Sequence, residues 1–179
     1  MGQNDKAVTL EYENHWGDHY TLALYKDSYA MGGGLAISAL DATDPADGEY
    51  LSPWSDITVN IPNNPDAAWW CSTDGNVIID TNNNSKELVD ALIGAGIITL
   101  TNRVCYSGYC TYPLAKVAPW AMDAMGTYEE TVERLTADQQ EKHQPIVPSL
   151  RGEAEQARQS SEQLTQDTPG ISPARENNR

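Results

Sequence analysis

The sequence predicts an α+β fold: an antiparallel sheet of about five to seven strands packed by one central helix. Three observations predict it. Apolar residues alternate with period two at His19 to Lys26 and again at Asp56 to Ile61, as half-buried strands require. A single stretch, Leu88, Ala91, Leu92 and Ala95, recurs at helical spacing. Clusters of Gly, Asn, Asp and Pro separate these runs at short intervals, which suits hairpins better than long parallel crossovers.

In chain order, Ala7 to Tyr12 forms a first edge strand ahead of a turn at Asn14 to Asp18. His19 to Lys26 places Tyr20, Leu22 and Leu24 on one face and His19, Thr21 and Ala23 on the other. The triple glycine of Asp27 to Gly34 is a connection, and Leu35 to Leu40 extends again. Asp41 to Gly48 is acidic turn material, after which Asp56 to Ile61 points Ile57, Val59 and Ile61 inward and ends at Pro62. Asn63 to Asp66 is a further turn cluster. Val77 to Ile79 is a short strand, and the central helix, Ser85 to Ile93, is capped by Asn84 with Glu87 reaching back to it. Gly94 or Gly96 closes that helix without steric cost. Ile97 to Leu100 and Cys110 to Leu114 return to strand, joined by a hairpin turn at Tyr106-Ser107-Gly108-Tyr109. Residues 1–117 thus make a compact α+β domain. Residues 118–142 are a linker and an acidic helix, Thr127 to Lys142, with Thr127 as cap and Val132 and Leu135 as a thin stripe. The polar remainder, 143–179, is too poor in apolar residues to build a core and is expected to be a disordered tail.

The chain of 179 residues has a formal net charge of −15. Such a charge disfavours direct binding to nucleic acid or to an anionic membrane and favours a basic protein partner. Residues 1–122 hold 15 acidic and 5 basic side chains, so most of the excess lies on the folded part. No run approaches the roughly 20 apolar residues of a membrane span, and the N-terminus lacks a signal-like apolar stretch. Three cysteines do not make a disulfide framework, which places the chain in a reducing cytoplasm.

Three blocks resemble a known bacterial family: Val59-Asn60-Ile61-Pro62, Asp80-Thr81-Asn82-Asn83-Asn84, and Ser107-Gly108-Tyr109-Cys110-Thr111-Tyr112-Pro113. In that order they resemble the domain of unknown function 4313, over roughly residues 18–117. The resemblance implies a bacterial host and a home on plasmids and conjugative elements. It implies no catalytic residues, no cofactor and no activity.

Candidate site residues fall into four groups. Asp80, Asn82 and Asn84 match the opening of a calcium loop, but Ser85 replaces the loop glycine and Ala91 the bidentate Glu. His15 and His19 with Cys105 and Cys110 could supply two nitrogens and two sulfurs to zinc, and a Ser107-Gly108 turn would set Cys105 opposite Cys110. No nucleophile elbow, Walker loop, dinucleotide fingerprint or H-E-x-x-H is present, so no catalytic residue is assigned. The aromatic set is the most informative, because the chain has five Trp and nine Tyr but no Phe. Trp and Tyr combine apolar area with a polar handle and suit interface centres. Trp54, Trp69, Trp70, Tyr106, Tyr109 and Tyr112 are the binding candidates, with Asp41, Asp44, Asp47, Glu49 and Asp56 as the acidic ones. The expected function is a non-enzymatic acidic interaction protein. One alternative is an acidic inhibitor that imitates nucleic acid in the channel of a host defence nuclease; another is a metal or thiol protein built on the cysteine hairpin.

Overall fold

A computed structural model describes residues 6–43 and 51–143. The chain divides into two units, Met1–Lys142 and His143–Arg179. Of the expectations above, those for Asp44, Asp47, Glu49 and nearly all of the tail lie outside the described residues. Within them the fold is α+β. Strands β1 (Val8–Glu13), β2 (His19–Ser28), β3 (Leu35–Asp41) and β4 (Pro53–Asp56) form an antiparallel meander in the order β1-β2-β3-β4. Strands β5 (Asn76–Ile78), β6 (Ile98–Ser107) and β7 (Cys110–Val117) form a second antiparallel sheet in the order β5-β7-β6.

Seven strands therefore form two sheets where one was expected. Residues 57–59 stitch the sheets together. The amides of Ile57 and Thr58 donate to the Ile37 carbonyl on one side, and the Val59 amide donates to the Ile78 carbonyl on the other. An isolated antiparallel bridge pairs Thr58 with Ile79. The alternation expected over Asp56 to Ile61 fails here: Ile57 packs in the main core, and Thr58, expected to face outward, is also buried, with its hydroxyl paired to the Tyr29 hydroxyl and the Ile37 amide. The same correction applies in β2, where Leu22, Ala23 and Leu24 are all fully buried.

Helix α2 (Lys86–Gly94) is the central helix. Its cap is Ser85, whose hydroxyl accepts from the Leu88 amide at 3.3 Å, and not Asn84. Asn84 is committed elsewhere: its side-chain amide donates to the carbonyls of Asp56 (2.7 Å) and Asp80 (2.9 Å), and its oxygen accepts from the Ser55 hydroxyl. At the other end Gly96 takes φ +67°, the Ile97 amide reaches the Leu92 carbonyl and the Gly96 amide reaches Ile93, a Schellman closure. Leu88, Val89 and Leu92 then pack into the main core with Leu10, Leu22, Leu24, Ile37, Ile79 and Ile98.

Helix α1 (Pro65–Cys71), which begins inside the turn cluster expected at Asn63 to Asp66, covers the face of the second sheet away from the main core. Asn64 caps it, accepting from the amides of Asp66 (3.0 Å) and Ala67 (3.1 Å), and Pro65 occupies the first helical position. Beneath it a smaller core gathers Ile61, Ala67, Trp70, Ile78, Cys105 and Leu114.

The ordered fold does not end at Val117. Helix α3 (Pro119–Ala124) adds Ala121, Ala124 and the following Met125 to the main core. Helix α4 (Tyr128–His143) begins with a reciprocal capping box: the Glu130 amide donates to the Thr127 hydroxyl, and the Thr127 amide to the Glu130 carboxylate. Tyr128 packs edge-on against Tyr25, and Arg134 donates to the Ala124 carbonyl at 2.8 Å. Among the described residues no helix is long and apolar enough to cross a membrane.

Candidate functional site: two aromatic faces of opposite charge

The aromatic candidates separate into two groups on different elements. The first lies at the open end of the four-stranded sheet. Register pairs Tyr12 of β1 with Tyr20 of β2, and their rings stack with centroids 5.5 Å apart. Trp54 of β4 packs against both, at 4.6 Å from Tyr20 and 6.2 Å from Tyr12. All three are half-buried at the margin of the main core. In the row next to this trio, Leu10 pairs with Leu22 and Leu22 with Asp41, so Asp41 shares the trio's face. Burial pushes the Tyr12 phenol up, as do neighbouring Tyr20 and the negative charges of Glu87 and Asp41. Glu87, in the first turn of α2, is held below the usual carboxylate range. Its own backbone amide is the main cause, then the Ser85 hydroxyl. Glu87 is thus ionised at neutral pH. Among the described residues the ion pairs are His19–Glu13 and Lys86–Asp90, so neither Asp41 nor Glu87 is neutralised by a salt bridge.

The second group surrounds α1. Trp69 is 66 % exposed, whereas Trp70 is only 7 % exposed and donates its indole N–H to the Val77 carbonyl at 3.1 Å. Trp70 is therefore largely a core residue. The Arg103 guanidinium lies 5.8 Å from the Trp69 ring and 5.5 Å from the Trp70 ring, and the Lys116 ammonium lies 6.0 Å from Trp70. These are cation–π distances. Tyr106 and Tyr109 are exposed, and the Asn64 side chain ties the Tyr106 carbonyl to the start of α1 at 3.0 Å. Tyr112 is half-buried and accepts from the Asn82 amide at 2.7 Å.

The remaining candidates are placed as follows. Asp56 accepts from the Ser38 hydroxyl at 2.7 Å on the exposed edge of the four-stranded sheet. Asp80 is buried, and its carboxylate accepts from the Asn82 and Asn83 amides and the Asn83 side chain. Its oxygens close an Asx turn instead of converging with Asn82 and Asn84 on an open site. The cysteine hairpin needs correcting by one register step. Ser107 pairs with Cys110 and Cys105 with Tyr112, so the turn residues are Gly108 and Tyr109, with Gly108 at φ +60°. Cys105 and Cys110 do not face each other, and all three cysteines are free thiols. The His15 ring packs tilted against Trp16, and His19 lies 3.6 Å from Glu13. Among the described residues no group of three His, Cys, Asp or Glu side chains is placed to hold a metal.

One cavity of 330 Å³ opens between the glycine loop and the end of α1, lined in part by Ser28, Gly34, Cys71, Thr73 and Asp74. Burial, and then the neighbouring Cys105, push the Cys71 thiol up. It is protonated at neutral pH, the opposite of what an activated thiolate needs.

Tyr12, Tyr20 and Glu87 were not among the binding candidates read from the sequence. The signal was available for the tyrosines, because each sits on the apolar parity of its strand. Their stacking depended on the β1–β2 register, which no single strand specifies. No family model, no curated protein and no solved structure matches the chain.

Proposed function

We propose that the protein acts by binding, as a non-enzymatic partner for a basic protein, and that the Tyr12–Tyr20–Trp54 face receives the basic side chain. The observation that carries this reading is the pairing of a half-buried aromatic trio with two un-neutralised carboxylates, Asp41 and Glu87. Aromatic faces attract a guanidinium or ammonium through their quadrupoles, and a carboxylate alongside adds a charge-assisted hydrogen bond. The ring spacing leaves no room for a cation between the stacked rings, so the incoming group lies across their open surface. The net charge of −15 adds long-range steering for a basic protein. The three free thiols fit a reducing cytoplasm, and the bacterial mobile-element setting implied by the family resemblance remains part of this reading.

The test is selection of a random displayed peptide library on the full chain. The expected result is enrichment of Arg- or Lys-containing peptides that is lost with Asp41→Asn combined with Glu87→Gln. These substitutions keep the side-chain shape and one acceptor oxygen at each position while removing the charges. No enrichment, or enrichment indifferent to the neutralised pair, overturns the reading.

A further inference from the structure

Resting on that reading's choice of receiving face, we propose that a second copy of this chain, acidic overall but carrying a local basic patch, also docks there through its Trp69–Arg103–Lys116 face. The argument is complementarity within a single sequence. Residues 1–122 contain five basic side chains, and two of them, Arg103 and Lys116, converge on the rings of α1. Both are exposed, and neither forms an ion pair among the described residues. A guanidinium within cation–π distance of two indoles still has N–H groups for a carboxylate, and that contact restrains the side chain before a partner arrives. Beside it Trp69 exposes most of its ring, a residue type enriched in interface centres. The receiving face presents what this one lacks: the carboxylates of Asp41 and Glu87 beside half-buried aromatics. One face belongs to the four-stranded sheet and the other to the three-stranded sheet and α1, so the contact joins different surfaces of the two copies. Net repulsion between two chains of −15 acts over distance, and at physiological ionic strength the Debye length is about 8 Å. Groups in contact across the interface are therefore screened far less than the overall charge.

Sedimentation of the full chain at physiological ionic strength tests the proposal. The expected result is concentration-dependent association below about 100 μM, weakened by 1 M salt. Arg103→Gln with Lys116→Gln abolishes it, and so does Asp41→Asn with Glu87→Gln. Mixing the two double variants restores a one-to-one complex, because each retains the face the other has lost; thermal melts confirm that both are folded. A wild-type chain that stays monomeric to about 100 μM, or association untouched by either double variant, overturns the proposal. The outcomes separate the two ideas. Monomeric behaviour together with charge-dependent enrichment of basic peptides sinks the self-association and leaves the binding reading standing. Monomeric behaviour with no enrichment sinks both.

Discussion

A hydroxyl pair, Tyr29 with Thr58, sits at the seam between the two sheets. The oxygens are 2.7 Å apart, and the Thr58 hydroxyl also accepts from the Ile37 amide at 2.9 Å. Burial pushes the Tyr29 phenol up to about 12, opposed by the Thr58 hydrogen bond and reinforced by the nearby Asp56 charge. The folded value is raised above the unfolded value near 10. The stabilisation is therefore complete below pH 10 and is lost as pH rises from 10 towards 12. Chemical denaturation across that range should show stability falling for the wild-type chain. Tyr29→Phe should remove this group's share of the fall and cost about 1 kcal/mol near neutrality from the lost hydrogen bond. At this scale the sequence was partly legible. Trp54 and Asp41 were visible as residue types suited to binding, and they share a face. Trp70 was visible too, but its indole N–H finds a buried carbonyl and its ring fills the smaller core. Which aromatic is handle and which is core depends on that hydrogen bond, and residue type alone does not show it.

Element by element, the helices were harder to read than the strands. Strands β1 to β3 lie close to the spans expected for them; of the three only His19 to Lys26 was placed by alternation, and the burial of Ala23 between Leu22 and Leu24 departs from it. Helix α1 was hidden inside Asn63 to Asp66, a cluster equally suited to a turn. Asn64, Pro65 and Asp66 are in fact cap, first helical residue and first-turn acid. Helix α2 was recognised, but Asn84 was drawn from the cap by carbonyls of Asp56 and Asp80, which are distant or non-helical in the sequence. The hairpin turn was legible to within one residue, and that shift moves Cys105 from directly opposite Cys110 to a diagonal position on the same face. The C-terminal end of α2 gives a paired prediction. Gly96 is left-handed, so Gly96→Ala should destabilise by about 1–2 kcal/mol. Gly94 closes the helical span with nothing within 4 Å of an added Cβ, so Gly94→Ala should stabilise by about 0.5–1 kcal/mol. Urea midpoints of the two variants should move in opposite directions.

Across the whole molecule, residue periodicity indicated the α+β class, whereas the net charge of −15 says nothing of how charge is distributed over the surface. The excess of carboxylates hides a small basic region at α1, because its two cations come from β6 and β7, thirteen residues apart in sequence. Only the strand pairing brings them to one pair of indoles. The extent of the core was underestimated for a related reason. Ala121, Ala124 and Met125 are small or flexible residues in a short helix with no apolar period to announce them, yet each is buried in the main core.

The length of backbone from Ile57 to Val59 hands its hydrogen bonds to Ile37 in one direction and to Ile78 in the other. Neither sheet has a private exit from the native state. Peeling either one away strands the amides or carbonyls that the seam shared with it, so a local opening has no cheap stopping point. Amide hydrogen exchange should therefore give one common protection free energy for the interiors of β2 and β7, and Ile57→Ala should lower both together instead of loosening one sheet alone.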